Sequence, residues 1–130
     1  KKAIQLKPEY PEAHFNLGVT LNKWNNPEEA IDHLEEAIRL EPNLAPVHLT
    51  LGNILIQKNK FKRALYHLKT SIKIDPNNAI AHNSLGSVLG KQGNFKQAII
   101  HFNISIKINP DYVEAHQNLG TALAMMKLSE

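Results

Sequence analysis

Residues 11–44 read PEAHFNLGVTLNKWNNPEEAIDHLEEAIRLEPNL, and this design recurs along the chain. Its order is His14, Leu17-Gly18, Leu21, Ala30, Leu34 and Pro42. Pro8, Pro42, Pro76 and Pro110 are spaced 34 residues apart, as are Leu17-Gly18, Leu51-Gly52, Leu85-Gly86 and Leu119-Gly120. Leu21, Leu55, Leu89 and Leu123 keep that period, and so do Ala30, Ala64 and Ala98. Leu34, Leu68 and Phe102 form another row, and Ile4, Ile38, Ile72 and Ile106 one more. Self-similarity at a fixed period is the signature of a repeat architecture.

Each period holds two helical segments. In the first, Ala13, Leu17 and Leu21 stand at four-residue steps and share one stripe of a helix. The glycine beside each leucine admits a neighbouring helix, at a cost of about 1 kcal/mol in helix propensity. Asn25, Asn59 and Gly93 share one place, where a left-handed residue would end that helix. Asn26-Pro27-Glu28-Glu29 then starts the second segment, with Asn as cap, Pro in the first turn and carboxylates at the positive end of the dipole. The second helix is expected to bury Ala30, Leu34, Ala37 and Ile38. Small residues at Ala37, Ser71 and Ser105 allow close packing, and Pro42, Pro76 and Pro110 stop the helix.

Neither helix can bury its apolar stripe alone, but stacked neighbours can. The motif resembles the tetratricopeptide repeat family, whose signature is an aromatic, Leu-Gly, an aromatic, Ala, an aromatic and Pro over a period of about 34 residues. His14 stands for the first aromatic and Leu21 for the second, both able to fill a helix-packing slot. The resemblance implies an all-α, right-handed α-solenoid of antiparallel helix pairs with a concave and a convex side. We read repeats at 11–44, 45–78 and 79–112, a first helix of an incomplete fourth at 113–130, and the end of a preceding second helix at 1–8. The last segment would then expose Val113, Leu119, Leu123, Met125, Met126 and Leu128.

Composition restricts the function classes. With 42% hydrophobic and 21% charged residues the chain is neither disordered nor membrane-like. No apolar run approaches the roughly 18 residues of a spanning helix, so no membrane insertion is expected. Residues 1–8 lack the pattern of a signal peptide, which points to the cytoplasm, although a start within a repeat would leave the true N-terminus outside this sequence. The absence of cysteine removes disulfides, thiolate metal sites and a cysteine nucleophile. A net charge of +3 does not imply nucleic acid. Charge is nevertheless uneven: residues 11–44 carry two basic against seven acidic residues, and residues 45–78 carry six against one. Ion pairing between repeats explains this contrast more economically than a docking face.

Seven histidines invite a metal, but all occupy two repeat places: His14, His48, His82 and His116, and His33, His67 and His101. Equivalent places on adjacent packed helices lie about 8–10 Å apart, whereas zinc needs its ligand atoms about 2 Å from one centre. Packing or surface roles are expected, with no metal or cofactor. The acidic run Glu28, Glu29, Asp32, Glu35 and Glu36 reads as a solvated helix face, because paired carboxylates need a pocket to separate their acidities. With no phosphate loop or nucleophile elbow, the chain is not expected to be an enzyme.

In the family, outward places on each first helix line the concave groove. Here these are Glu12, Phe15, Asn16, Val19, Asn22 and Lys23, then Leu49, Thr50, Asn53, Ile56 and Gln57. Ile80, Asn83, Ser84, Ser87 and Lys91 follow, and then Glu114, Gln117, Asn118 and Thr121. Amide side chains both donate and accept, so such a groove can hold an extended backbone. Some family members clamp acidic chaperone tails with basic residues, but those places here hold Glu12, Phe15, Ile80 and Ser84. The asparagine row of the O-linked N-acetylglucosamine transferases is more similar: Asn16 and Asn118 match it, with Thr50 and Ser84 as polar substitutes. That resemblance implies kinship with the TPR arms of bacterial proteins similar to O-GlcNAc transferase. The leading expectation is a scaffold that binds another protein or peptide in its groove, without nucleic acid. The alternatives are the substrate-recognition arm of a larger, glycosyltransferase-like enzyme, and head-to-tail self-assembly into a homo-oligomer through the exposed last helix.

Overall fold

A computed structural model describes residues 10–129, and among them the chain forms seven α-helices and no strand. They are α1 (Pro11–Lys23), α2 (Pro27–Leu40), α3 (Ala45–Gln57), α4 (Phe61–Ile74), α5 (Ala79–Lys91), α6 (Phe95–Ile108) and α7 (Val113–Leu128). The helix end read at 1–8, including Ile4, lies outside the described residues.

The turn inside each pair follows from one backbone feature. Asn25, Asn59 and Gly93 have φ of 63°, 62° and 83°. The residue after each donates its N–H to a carbonyl five positions back: Asn26 to Leu21 at 2.9 Å, Lys60 to Leu55 at 2.9 Å and Asn94 to Leu89 at 2.8 Å. This is the Schellman closure, which satisfies carbonyls orphaned at a helix end. The start of α2 differs from expectation. Asn26 and Pro27 occupy the cap and first position, but the Asn26 side chain makes no capping bond and its Nδ2 donates to Glu29 Oε1 at 3.1 Å. Capping occurs elsewhere: Asn78 Oδ1 accepts from the N–H groups of Ile80 and Ala81, and Asn94 Oδ1 from Gln97.

Helix pairs close over the repeat glycines. A β-carbon on Gly18 would lie 2.8 Å from Leu34 Cγ, on Gly52 2.7 Å from Leu68 Cγ, and on Gly86 2.5 Å from the Phe102 ring. Ala30, Leu34 and Ala37 are fully buried, as are Ala64, Leu68 and Ala98, while Ile38 and Ile72 pack partly buried against this core. The small residues of the second helices also act as polar ties. Ser71 Oγ donates to the Ala45 carbonyl at 3.0 Å and Ser105 Oγ to the Ala79 carbonyl at 2.8 Å.

Each helix packs against the next, and the first helices also pack against one another in the order α1, α3, α5, α7. The second helices α2, α4 and α6 do not approach one another. A row that touches on one side and splays on the other bends toward the touching side, so α1, α3, α5 and α7 line the concave face. The charge contrast between the first two pairs resolves into ion pairs. Lys58 Nζ lies 2.6 Å from Glu28, and Arg63 meets Glu35. Arg39 pairs with Glu36 within α2. On α7, Val113, Leu123, Met125 and Leu128 are exposed, whereas Leu119 and Met126 are half-buried.

Candidate binding groove and the histidine pairs

Two clefts open where first helices stand side by side. The first, of about 300 Å³, is lined by Asn53, Ile56 and Gln57 of α3, Ile80, Asn83, Ser84 and Ser87 of α5, Glu114 of α7, and Tyr112 just before it. The sequence pointed to all of these except Tyr112. Burial divides them. Gln57, Ile80 and Glu114 are exposed, Asn53 and Ser87 half-buried, but Asn83 is only 3% and Ser84 only 8% exposed. The Asn83 amide is also committed: its Nδ2 donates to Tyr112 Oη at 3.4 Å, and its Oδ1 accepts from Asn118 Nδ2 at 3.0 Å. Asn83 therefore builds the wall of the cleft. Burial, with the nearby Glu114 carboxylate, holds the Tyr112 phenol above its usual acidity range, against the opposing effect of the Asn83 hydrogen bond.

The second cleft, of about 320 Å³, lies between α5 and α7 over α6. It gathers Ser87, Lys91, Asn118 and Thr121 with Gly86, Gly90, Phe95, Phe102, Ala122 and Met125. Sequence reasoning missed the apolar part. The available signal was Gly90, which stands where Ile56 stands one repeat earlier.

The other expected groove residues line neither cleft. Glu12, Asn16, Lys23 and Gln117 are exposed, while Val19, Asn22 and Thr50 are half-buried. Phe15 and Leu49 pack partly buried against the core. The asparagine row is not a row of free amides, because Asn118 is spent on Asn83 while Asn16 is exposed.

The two histidine places face each other across each helix pair. Nδ1 of His14 lies 3.0 Å from Nδ1 of His33, His48 lies 3.0 Å from His67, and His82 lies 3.1 Å from His101. The rings stack with centroids 5.2–5.3 Å apart. Nε2 of His48, His82 and His116 each donates to the carbonyl of Pro42, Pro76 or Pro110, at 2.8, 2.9 and 2.8 Å. A neutral ring that donates through Nε2 can only accept through Nδ1. His67 and His101 must then donate through Nδ1, which fixes every tautomer in these two pairs. Burial, the facing His48 and the Arg63 cation push the His67 imidazole from its usual 6.5 to about 4. His101 is lowered by burial, His82 and Lys69. The pairing was invisible in the sequence because the partners are 19 residues apart, on different helices. No group of three or more metal-ligating side chains occurs among the described residues, and no helix among them is long and apolar enough to cross a membrane.

A profile of the tetratricopeptide repeat matches residues 11–44 and 79–112, and a second TPR-repeat profile matches residues 52–93. Among solved structures, MamA is similar at TM-score 0.92 and 26% identity over 98% of this chain and 70% of that one. YrrB, described as a TPR protein with an unusual peptide-binding site, is similar at 0.85 and 25% over 95% of this chain and 63% of that one. The first TPR of Spaghetti (RPAP3), solved with the HSP90 peptide SRMEEVD, shares the fold at 0.88 but only 14% identity, over 90% of this chain and 93% of that one. No curated protein sequence matches.

Proposed function

This chain is a member of the tetratricopeptide repeat family, and we propose that it is a protein-interaction scaffold holding an extended segment of a partner along its concave face. The observation that carries this reading is the cleft shared by α3, α5 and the start of α7, where Asn53, Gln57 and Ser87 surround the apolar Ile56 and Ile80. Side-chain amides can donate to and accept from a peptide backbone, and the isoleucines supply contact area. The peptide-binding site named for the structurally similar YrrB supports the same class of ligand.

Selection of a random peptide library against the immobilised chain tests this. Enriched peptides should lose at least roughly tenfold in affinity for a double variant Asn53→Ala, Gln57→Ala, equivalent to about 1.4 kcal/mol. The melting temperature should stay close to wild type, because Gln57 is exposed and the Asn53 side chain makes none of the protein's side-chain hydrogen bonds among the described residues. Equal binding by the variant would remove the cleft from the interaction.

Self-assembly is a second reading, favoured by α7, where Leu128 is 80% and Val113 65% exposed. It requires the sedimentation coefficient to rise with concentration in the micromolar range, and a constant monomeric value would exclude it.

A further inference from the structure

The cleft between α5 and α7 is apolar for a reason specific to its tier. One tier below, Ile56 and Val88 stand at the corresponding places; Ile56 packs against the core and Val88 is fully buried. Between α5 and α7 those places hold Gly90 and Ala122. An isoleucine side chain and the branches of a valine are thus absent. Phe102, in place of Leu68, fills part of the space from the floor, its ring lying over Gly86. What remains is an open slot of about 320 Å³ with Phe95, Phe102, Ala122 and Met125 on its surfaces.

Gly90 is not required by packing. A β-carbon there would meet only Ala98 Cβ, at 4.0 Å, unlike one on Gly18, Gly52 or Gly86. It also lies within α5, where glycine costs about 1 kcal/mol relative to alanine. The slot opens to solvent on the concave side, so its apolar walls are left uncovered, as at ligand-binding grooves. Lys91 stands at the mouth, exposed and outside the ion pairs of the described residues.

We propose that this slot receives one bulky apolar side chain, of leucine to phenylalanine size, from an extended peptide whose neighbouring residue carries a carboxylate toward Lys91. The inference rests on the groove reading above and adds its specificity. Polar groups of the groove hold the backbone, the slot selects one side chain by size, and Lys91 selects the charge beside it. Burying an aromatic instead of a methyl group there discriminates by at least roughly tenfold.

The test is a titration of the isotope-labelled chain, followed by NMR. The probes are the capped peptide acetyl-Ser-Asp-Phe-Asp-Ser-amide and its counterpart with Ala in place of Phe. The Phe peptide should move the Gly90 amide and Met125 methyl signals and bind at least roughly tenfold more tightly than the Ala peptide. Gly90→Ile restores the residue of the tier below. It should erase that preference while raising the melting temperature. Ala122→Val is the second variant should Gly90→Ile misfold, and should weaken the preference in the same direction. Lys91→Gln should keep the Phe preference and lose the advantage of the Asp-flanked Phe peptide over a third probe, acetyl-Ser-Ser-Phe-Ser-Ser-amide. Equal affinities for the two peptides, with shifts confined to Asn53 and Gln57, would overturn the slot but leave the groove reading standing. No shift from either peptide at millimolar concentration would also overturn it. So would Gly90 shifts that track protein concentration without peptide, which would assign the slot to a second copy of this chain.

Discussion

At Asn59 the backbone has φ of 62°, and with Asn25 and Gly93 it turns each first helix into its second. A β-branched residue in that left-handed region costs about 1–2 kcal/mol, and glycine costs nothing in sterics. Asn59→Val should therefore lower the unfolding free energy obtained from urea titration by that amount, and Asn59→Gly should leave it within a few tenths of a kcal/mol of wild type. Equal effects of the two variants would mean that backbone conformation does not set stability at this turn. The histidine pairs give a second prediction at this scale. His67 stays neutral in the folded chain down to about pH 4, while the unfolded chain takes up that proton near pH 6.5. Unfolded protein binds more protons in this window, so stability is complete above about 6.5, declines as pH falls, and levels off below about 4. His101 adds to the slope in the same direction. The variant His67→Gln should show a shallower fall in melting temperature between pH 7 and 4.5 than wild type, and an unchanged slope would contradict the pairing. The sequence placed the histidines in two repeat rows, with packing or surface roles expected. It could not show that the two rows meet, because that depends on which helix faces touch.

Between elements, the glycine rows look alike in sequence and differ in structure. Gly52 is pressed against the buried Leu68, whereas a β-carbon on Gly120 would meet nothing within 4 Å. Gly52→Ala should destabilise the chain by about 1–3 kcal/mol through overpacking. Gly120→Ala should stabilise it by about 0.5–1 kcal/mol through helix propensity. Thermal melts of the two variants should move in opposite directions, and movement in the same direction would refute the close approach at Gly52. Element existence was legible because each place in the 34-residue period carries one job: small, large apolar, left-handed turn, or stop. Cap chemistry was less legible. Asn26 and Asn94 occupy the same place, yet Asn94 caps the backbone and Asn26 spends its amide on Glu29. Local composition decides which partner an asparagine takes, and an acidic first turn offers α2 a competing one. Groove residues were half legible for a related reason. Spacing places Asn53 and Asn83 on the same face, but only the latter has a tyrosine within hydrogen-bonding reach.

For the whole molecule, stacking makes stability a sum of neighbour contacts rather than a property of one closed core. α3 and α5 have neighbours on both sides and hold the densest burial: Leu51, Ile54 and Leu55 are at most 1% exposed, and α5 buries eight residues. Among the described residues, α1 buries only Gly18 and α7 only Ala115 and Ala122. Unfolding free energy should therefore grade along the chain. Amide hydrogen exchange should protect α3 to α5 most strongly and release α1 and α7 first, as expected where local opening is decoupled from global unfolding. Substitutions should follow the same gradient. Leu51→Ala removes a fully buried side chain from the middle of the stack and should cost about 2–5 kcal/mol. Leu123→Ala, at a place 47% exposed on α7, should cost well under half of that despite occupying the repeat row of Leu55 and Leu89. The ion pairs Lys58–Glu28 and Arg63–Glu35 link the first two tiers but stand in solvent, so they add little to stability and weaken in salt. Raising ionic strength should thus leave the protection gradient in place, because burial and not surface charge sets it. Uniform protection from α1 to α7, or loss of the gradient in high salt, would show instead that the stack unfolds as one unit.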